Sequence, residues 1–97
     1  MAEFRINYKK VIRQADEMND LSRDLNNEIS ALEDLLSQIK RDWCGPASEA
    51  FQQQLIMLIA DMKTTRYNMA SVSTSIKNVA NRIQSEDERL AAQLESV

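Results

Sequence analysis

The chain contains few of the residues that end helices and lacks the residue most often used in catalysis. Its 97 residues include one glycine, one proline, one cysteine and no histidine. Without histidine there is no imidazole base and no histidine-containing zinc site. A single glycine also excludes a glycine-rich phosphate-binding loop. We therefore expect a protein that is not an enzyme, with no cofactor, no metal site and no small-molecule substrate.

Other absences restrict the location and the partners of the protein. No apolar run reaches the roughly 18 residues of a membrane span, and the first twenty residues lack the apolar segment of a signal peptide. The single cysteine, Cys44, cannot form an internal disulfide. A net charge of −3 argues against a nucleic-acid partner. We expect a protein that stays in the cytoplasm or is exported by a route that recognises a different signal.

Apolar residues recur at alternating spacings of three and four along both halves of the chain. In the first half, with Ser22 as the exception, this spacing visits Phe4, Tyr8, Val11, Ala15, Met18, Ser22, Leu25, Ile29, Leu32, Leu36, Ile39 and Trp43. In the second half, with Thr65 and Glu86 as exceptions, it visits Phe51, Leu55, Leu58, Met62, Thr65, Met69, Val72, Ile76, Val79, Ile83, Glu86 and Leu90. Such spacing is the seam of an α-helix wound against a partner helix, so an all-α protein is predicted.

Between the two periodic halves lies Trp43-Cys44-Gly45-Pro46, which contains the only Trp, Cys, Gly and Pro of the chain. Glycine suits the residue just past a helix end, and proline suits the first position of a new helix. The sequence therefore predicts one domain over residues 1–97, an antiparallel helix-turn-helix hairpin. Helix 1 is expected over about 4–42, the turn over 43–46 and helix 2 over about 47–93. The ring of Trp43 is expected to plug the closed end.

A second apolar strip flanks the predicted seam at Leu21, Leu35, Ile56 and Ile59. A two-helix hairpin buries little surface, and an apolar strip left in water is a liability. We therefore expect these four residues to form the interface of a dimer, in which two hairpins pack as a four-helix bundle. The alternative is that they only widen the core face of the hairpin itself.

The chain resembles a known family at two places. Trp43-Cys44-Gly45, at the middle of a hairpin of about one hundred residues, resembles the WXG family, the small Esx-type substrates of type VII secretion in Gram-positive bacteria. The tail "IQSEDERLAAQL" adds a second match through Ile83, Asp87, Leu90 and Leu94. These four residues fit the hydrophobic and acidic tail pattern of relatives outside the mycobacterial group. The mycobacterial pattern has Tyr where Ile83 stands.

The resemblance implies a function. Members leave the cell as folded dimers without a cleaved leader and are recognised by a membrane-embedded secretion ATPase. The turn of one subunit and the tail of its antiparallel partner act as a composite export signal. Carried over, Trp43 and Gly45 form the turn element, and the tail element consists of Ile83, Asp87, Leu90 and Leu94. The protein is then cytoplasmic before export and secreted afterwards, as a homodimer or as a heterodimer with another family member or an effector's N-terminal helical domain.

Two other functions fit the same sequence. The chain could be a cytoplasmic adaptor of the family that pairs with a larger toxin for export, or an unrelated coiled-coil assembly subunit. Packing also offers an alternative role for some signal candidates, because Trp43 ends one seam and Ile83 and Leu90 continue the other. Asp87 is the clearest candidate, since the predicted seam does not require an acid there. Cys44 is expected to be an inert part of the turn or an oxidation-sensitive surface thiol.

Overall fold

The computed structural model describes residues 7–96, which form an antiparallel hairpin of two long helices. Helix α1 spans Tyr8–Asp42 and helix α2 spans Pro46–Glu95. The hairpin is a slender rod with extents of 79 × 19 × 15 Å. The all-α hairpin predicted from the sequence is thereby confirmed. Phe4, and with it the predicted start of helix 1, lies outside the described residues.

Local residues set the ends of α1. Asn7 caps its N-terminus, and the Asn7 side chain accepts a hydrogen bond of 3.1 Å from the Lys10 backbone N–H. Lys40 and Arg41 lie in the last turn, where the partial negative charge of the helix dipole favours cations. Trp43 has an extended backbone, and its N–H donates to the carbonyl of Ile39 at 3.0 Å. The helix ends there because Trp43 has left the helical conformation.

Helix α2 begins at Pro46, the position that the sequence predicts for this proline. Gly45 was expected to follow the end of the first helix, but the structure makes it the N-cap of the second. The difference arises because Trp43 and Cys44 separate Gly45 from the last helical residue, Asp42. Gly45 has φ of 116° and ψ of 172°, a backbone conformation that residues with a Cβ rarely adopt.

The seam of α1 follows the predicted spacing from Tyr8 to Ile39, where every seam residue is buried or half-buried. Ser22, the exception in the apolar row, is only 3% exposed. Its hydroxyl donates a 3.2 Å hydrogen bond to the carbonyl of Arg66 on α2. A polar residue is tolerated in the seam because its hydrogen bond is satisfied across the hairpin.

The seam of α2 is shifted by one residue at every second position. It keeps the predicted Leu55, Met62, Met69, Ile76 and Ile83. Its alternate members, each one residue later than predicted, are Gln52, Ile59, Arg66, Ser73 and Ala80. The prediction was wrong at these positions because α2 carries an apolar stripe wider than a two-residue seam. Spacing alone does not tell which edge of a wide stripe faces the other helix.

Small residues bring the helices close in the half of the rod near the chain termini. Ala15, Ser73 and Ala80 are each at most 4% exposed, and the hydroxyl of Ser73 donates to the carbonyl of Ala15 at 2.6 Å. Near the turn the interior is filled by larger side chains. Ile29, Leu55 and Ile59 form a buried cluster there, surrounded by Leu25, Leu32, Leu36, Ile39 and Met62. Neither helix is apolar enough, within residues 7–96, to cross a membrane.

Candidate functional site

One side of the hairpin carries ion pairs that join the two helices. The ammonium of Lys63 lies 3.3 Å from a carboxylate oxygen of Glu33, and that of Lys77 lies 2.7 Å from Asp16. All four residues follow a seam residue by one position, so they lie on the same side of the seam. We call Asp16, Glu33, Lys63 and Lys77 the ionic flank.

The opposite side of the hairpin is apolar. Its residues precede a seam residue by one position, and in an antiparallel pair such residues of both helices lie together, away from the ionic flank. They are between 41% and 57% exposed. We call this surface the apolar flank, and it consists of Leu21, Leu35, Phe51, Leu58, Val72 and Val79.

An apolar groove continues this flank near the chain termini. The groove has a volume of about 310 Å³. Its lining is Val11, Ser75, Ile76, Val79, Ala80 and Ile83. Val79 belongs both to the groove and to the apolar flank, so the groove adjoins the flank at this end of the rod. An apolar surface of this extent, on a rod so thin, indicates a contact with another protein.

The four residues predicted to form a dimer interface do not share one surface. Leu21 and Leu35 lie on the apolar flank, 57% and 41% exposed. Ile56 is 40% exposed and lies on the other side, beside Glu33 and Lys63. Ile59 is only 6% exposed, because it belongs to the core of the hairpin. Ile59 was placed outside the hairpin because the predicted seam ran through Leu58 instead.

Trp43 does not plug the closed end of the hairpin. It is 44% exposed, and its ring packs at a tilt of 48° against the ring of Phe51, with centroids 5.9 Å apart. The prediction failed because the extended backbone of Trp43 takes the side chain away from the seam. The ring pair instead continues the apolar flank to the tip of the rod.

Ser48 holds the turn, a role that the sequence analysis missed. Its side chain is fully buried, and its hydroxyl donates to the carbonyl of Trp43 at 2.8 Å. The side-chain amide of Gln52 donates to the same hydroxyl at 3.1 Å. The available signal was a serine three residues after Gly45, where a hydroxyl often bonds to backbone groups at a helix start. Ser48 thus fixes the backbone that presents Trp43.

The tail candidates lie at the other end of the rod. Ile83 is half-buried and lines the groove, whereas Leu90 and Leu94 are 47% and 77% exposed. Asp87 accepts a hydrogen bond from the Tyr8 hydroxyl of α1. The acid therefore has a contact within the hairpin that the predicted seam did not foresee, because the true seam steps from Ile83 to position 87.

The predicted turn and tail elements are not brought together within one chain. Trp43 and Gly45 lie at the closed end, and the tail candidates lie at the open end of a molecule 79 Å long. In the described part of the chain, no three His, Cys, Asp or Glu side chains are grouped as a metal site. Cys44 is an exposed free thiol at the closed end.

These observations define a class, an extended helical hairpin with a Trp-X-Gly turn and one apolar flank. A family model, WXG100, described as proteins of 100 residues with WXG, matches residues 3–96. The chain belongs to this family. Its proteins are small, secreted and helical rather than enzymes; they typically pair with one another, and the match fits a small type VII secretion substrate. No curated protein and no solved structure matches the chain.

Proposed function

We propose that this protein is exported as a folded dimer by a type VII secretion system. The signal combines Trp43 and Gly45 at the turn of one subunit with a tail element on the other, formed by Ile83, Asp87, Leu90 and Leu94. The family match over residues 3–96 supports the route. The receptor is the secretion ATPase of the membrane, and the protein is cytoplasmic until it is exported.

The separation of the two signal elements carries the proposal. A single rod of 79 Å holds the turn at one end and the tail at the other. Antiparallel pairing with a partner places the turn of one subunit beside the tail of the other. The export signal is then complete only in an assembled dimer, so the ATPase does not recognise an unassembled subunit.

The apolar flank supports the dimer. Leu21, Leu35, Leu58 and Val72 lie along its middle, and each is more than 40% exposed in the single hairpin. Packing this flank against a second hairpin gives a four-helix bundle and removes these side chains from water. The partner is a second copy, another family member or the helical N-terminal domain of an effector.

The export signal is tested by Asp87→Ala, with Glu88→Ala as the matched control. Both acids are exposed on α2, but only Asp87 fits the tail pattern. We expect secretion to fall at least tenfold for Asp87→Ala and to be unchanged for Glu88→Ala, an estimate that corresponds to about 1.4 kcal/mol of lost recognition. Helicity and oligomeric state are compared with wild type by circular dichroism and sedimentation.

A third variant separates recognition from packing. Tyr8→Phe removes the hydroxyl that donates to Asp87 but leaves the carboxylate. Secretion of Tyr8→Phe near the wild-type level, with loss in Asp87→Ala, identifies the carboxylate itself as the signal. Equal loss in both variants identifies the contact between the helices as what matters. Normal export of Asp87→Ala removes the acid from the proposed signal.

An adaptor role is the second candidate, and the same exposed apolar flank favours it. An adaptor pairs this flank with the helical N-terminus of a larger toxin. In that case the purified chain aggregates or stays monomeric until the toxin segment is co-expressed. A stable dimer of the chain alone, with the apolar flank protected from hydrogen exchange, contradicts the adaptor role.

A further inference from the structure

The apolar groove near the chain termini is open in the single hairpin. Five of its six lining residues are apolar, and its volume is about 310 Å³. Only Val11 comes from α1, and the other five lining residues come from α2. Apolar walls in contact with water are unfavourable, so the groove is suited to an apolar segment that covers them.

Helix α1 begins beside this groove. The hydrogen bond between the Ser73 hydroxyl and the Ala15 carbonyl sets the register of the two antiparallel helices. One step back along α1 is one step forward along α2, so Asn7 is level with about Asn81, within the stretch of α2 that lines the groove. Asn7 also precedes the seam residue Tyr8 by one position, as the residues of the apolar flank do. The chain therefore enters α1 on the side where the groove lies.

The cap of α1 indicates where the residue before it packs. Asn7 has a non-helical φ of −82° and ψ of 88°, and its side chain accepts a hydrogen bond from the Lys10 backbone N–H. At such a helix start, the residue before the cap often packs against the fourth helical residue, a contact known as a hydrophobic staple. These two residues are Ile6 and Val11, and both are apolar. Because Val11 lines the groove, the staple brings Ile6 to its edge.

The sequence before Asn7 supplies apolar side chains in an alternating pattern. It reads MAEFRI, and we call residues 4–6 the entry segment. In an extended backbone alternate side chains point to the same side, so Phe4 and Ile6 share one face and the charged residues share the other. Three residues span at most about 10 Å, and Val11 lies about 6 Å from Asn7 along α1. Phe4 is therefore within reach of the groove.

We propose that the entry segment of this same chain docks in the apolar groove. Ile6 packs against Val11 of α1, and the ring of Phe4 packs against Val79 and Ile83 of α2. The occupant is local, because the helix cap, one wall of the groove and the two apolar side chains belong to one short stretch of sequence. The inference concerns the packing of each subunit and is independent of the export route proposed above.

Docking divides the exposed apolar surface of the hairpin between two uses. The groove is covered from within the chain, whereas Leu21 and Leu58 of the apolar flank remain available to a second hairpin. In the tail, Ile83 is covered by the entry segment, whereas Leu90 and Leu94 stay exposed. Ile83 therefore contributes to the packing of the open end of the rod.

Nuclear Overhauser effects in the full chain test the docking. We expect contacts between the methyl groups of Ile6 and Val11, and between the Phe4 ring and the methyl groups of Val79. A helix that continued through the entry segment would not give the contact between Ile6 and Val11, because side chains five positions apart are not neighbours on a helix. Mixing labelled with unlabelled chains separates contacts within one chain from contacts between copies.

Substitutions in the entry segment test the two apolar anchors. We expect Phe4→Ser with Ile6→Ser to lose the ring-current shift of the Val79 methyl resonances and to bind more of the apolar dye ANS. Arg5→Ser, the matched control on the other face of the segment, is expected to keep the wild-type values. Circular dichroism is expected to show intact helices in both variants, because the substitutions lie outside α1 and α2.

A further variant separates the Phe4 ring from its apolar character. Phe4→Leu keeps an apolar side chain without a ring. We expect it to lose the shift of the Val79 methyl resonances but to bind no more dye than wild type. Added dye binding by Phe4→Leu equal to that of the double serine variant contradicts docking through apolar contact.

The remaining outcomes identify a different occupant. Contacts of the Trp43 or Phe51 ring with Val79, in place of Phe4, show that the turn of a second copy fills the groove. Contacts found only between differently labelled chains assign the groove to the entry segment of another copy. Either result overturns the proposal, as does an unchanged Val79 shift in the double serine variant. Export is measured separately by secretion, so failure of the docking is distinguishable from failure of the proposed function.

Discussion

The two flanks of the hairpin show how differently one repeat can be used on its two sides. Residues one position after the seam satisfy each other within the chain, as Lys63 does with Glu33 and Lys77 with Asp16. The apolar side chains one position before the seam, in contrast, stay largely in water in the single hairpin. Leu21 and Leu58 remain 57% and 49% exposed.

This difference indicates which flank stabilises the dimer that we propose. Exposed ion pairs contribute little, about 0–1 kcal/mol each. Burial of one large apolar side chain contributes about 1.5–3 kcal/mol, and a symmetrical interface counts it twice. The ionic flank therefore adds little to stability. In the dimer that we propose, the apolar flank supplies most of the free energy of association.

The strongest test of the difference between the flanks is to introduce a charge on each flank in turn. We expect Leu58→Asp to weaken the dimer by at least about 100-fold, because an apolar contact is lost and a carboxylate is desolvated in both copies. Ile56→Asp, of equal size on the ionic-flank side, is expected to leave the dimer unchanged. Sedimentation equilibrium measures the dimerisation of both variants. If only Ile56→Asp dissociates the dimer, the interface lies on the ionic flank and the prediction is wrong.

The opposite change makes the flanks alike. Lys63→Leu with Lys77→Leu adds two large apolar side chains to the ionic flank, so both sides of the rod can associate and assembly is no longer limited to two copies. We expect species larger than a dimer in light scattering coupled to gel filtration. The control, Lys63→Gln with Lys77→Gln, removes the same charges without adding apolar surface. A pure dimer from the leucine variant contradicts the role assigned to the lysines.

The turn joins the seam and both flanks, and Gly45 sets its geometry. A Cβ at Gly45 meets no atom within 4 Å, so the difficulty lies in its φ of 116° alone. We expect Gly45→Ala to lower the free energy of unfolding by about 1–3 kcal/mol, measured by urea denaturation at fixed protein concentration. Cys44→Ala, next to it and exposed, is the control and is expected to be neutral.

The smallest effect belongs to a single ion pair. Lys77 and Asp16 are 2.7 Å apart, but their side chains are 39% and 54% exposed. We expect Lys77→Ala to lower the free energy of unfolding by about 0.2–1 kcal/mol at low salt. The difference from wild type is expected to disappear in high salt, where such charges are screened. A loss that persists at high salt indicates that packing of the Lys77 stem matters more.

The sequence was sufficient for the hairpin, because long periodic helices and a single glycine-proline turn leave few other arrangements. It was insufficient for the seam of α2. Leu58 and Ile59 are neighbours of similar apolarity, and only the contact with α1 decides that Ile59 is inside. The same ambiguity misplaced Ile59 in the predicted dimer interface.

The site was less predictable than the fold. The family resemblance pointed to Trp43 and Asp87, but not to the contacts that hold them. The Ser48 hydroxyl donates a hydrogen bond to the Trp43 carbonyl, and the Tyr8 hydroxyl donates one to the Asp87 carboxylate. Both contacts depend on the folded structure. The spacing of residues in the sequence shows which of them share a helix face. It does not show the register of the two helices, on which hydrogen bonds between them depend.

Cys44 can report whether two paired copies run parallel or antiparallel. It is exposed at the tip of a rod 79 Å long. Antiparallel copies keep their two thiols at opposite ends, beyond the reach of any oxidant-formed bridge. Side-by-side copies pointing the same way bring the thiols together. The single thiol of the chain thus reports the relative orientation of paired copies on a non-reducing gel.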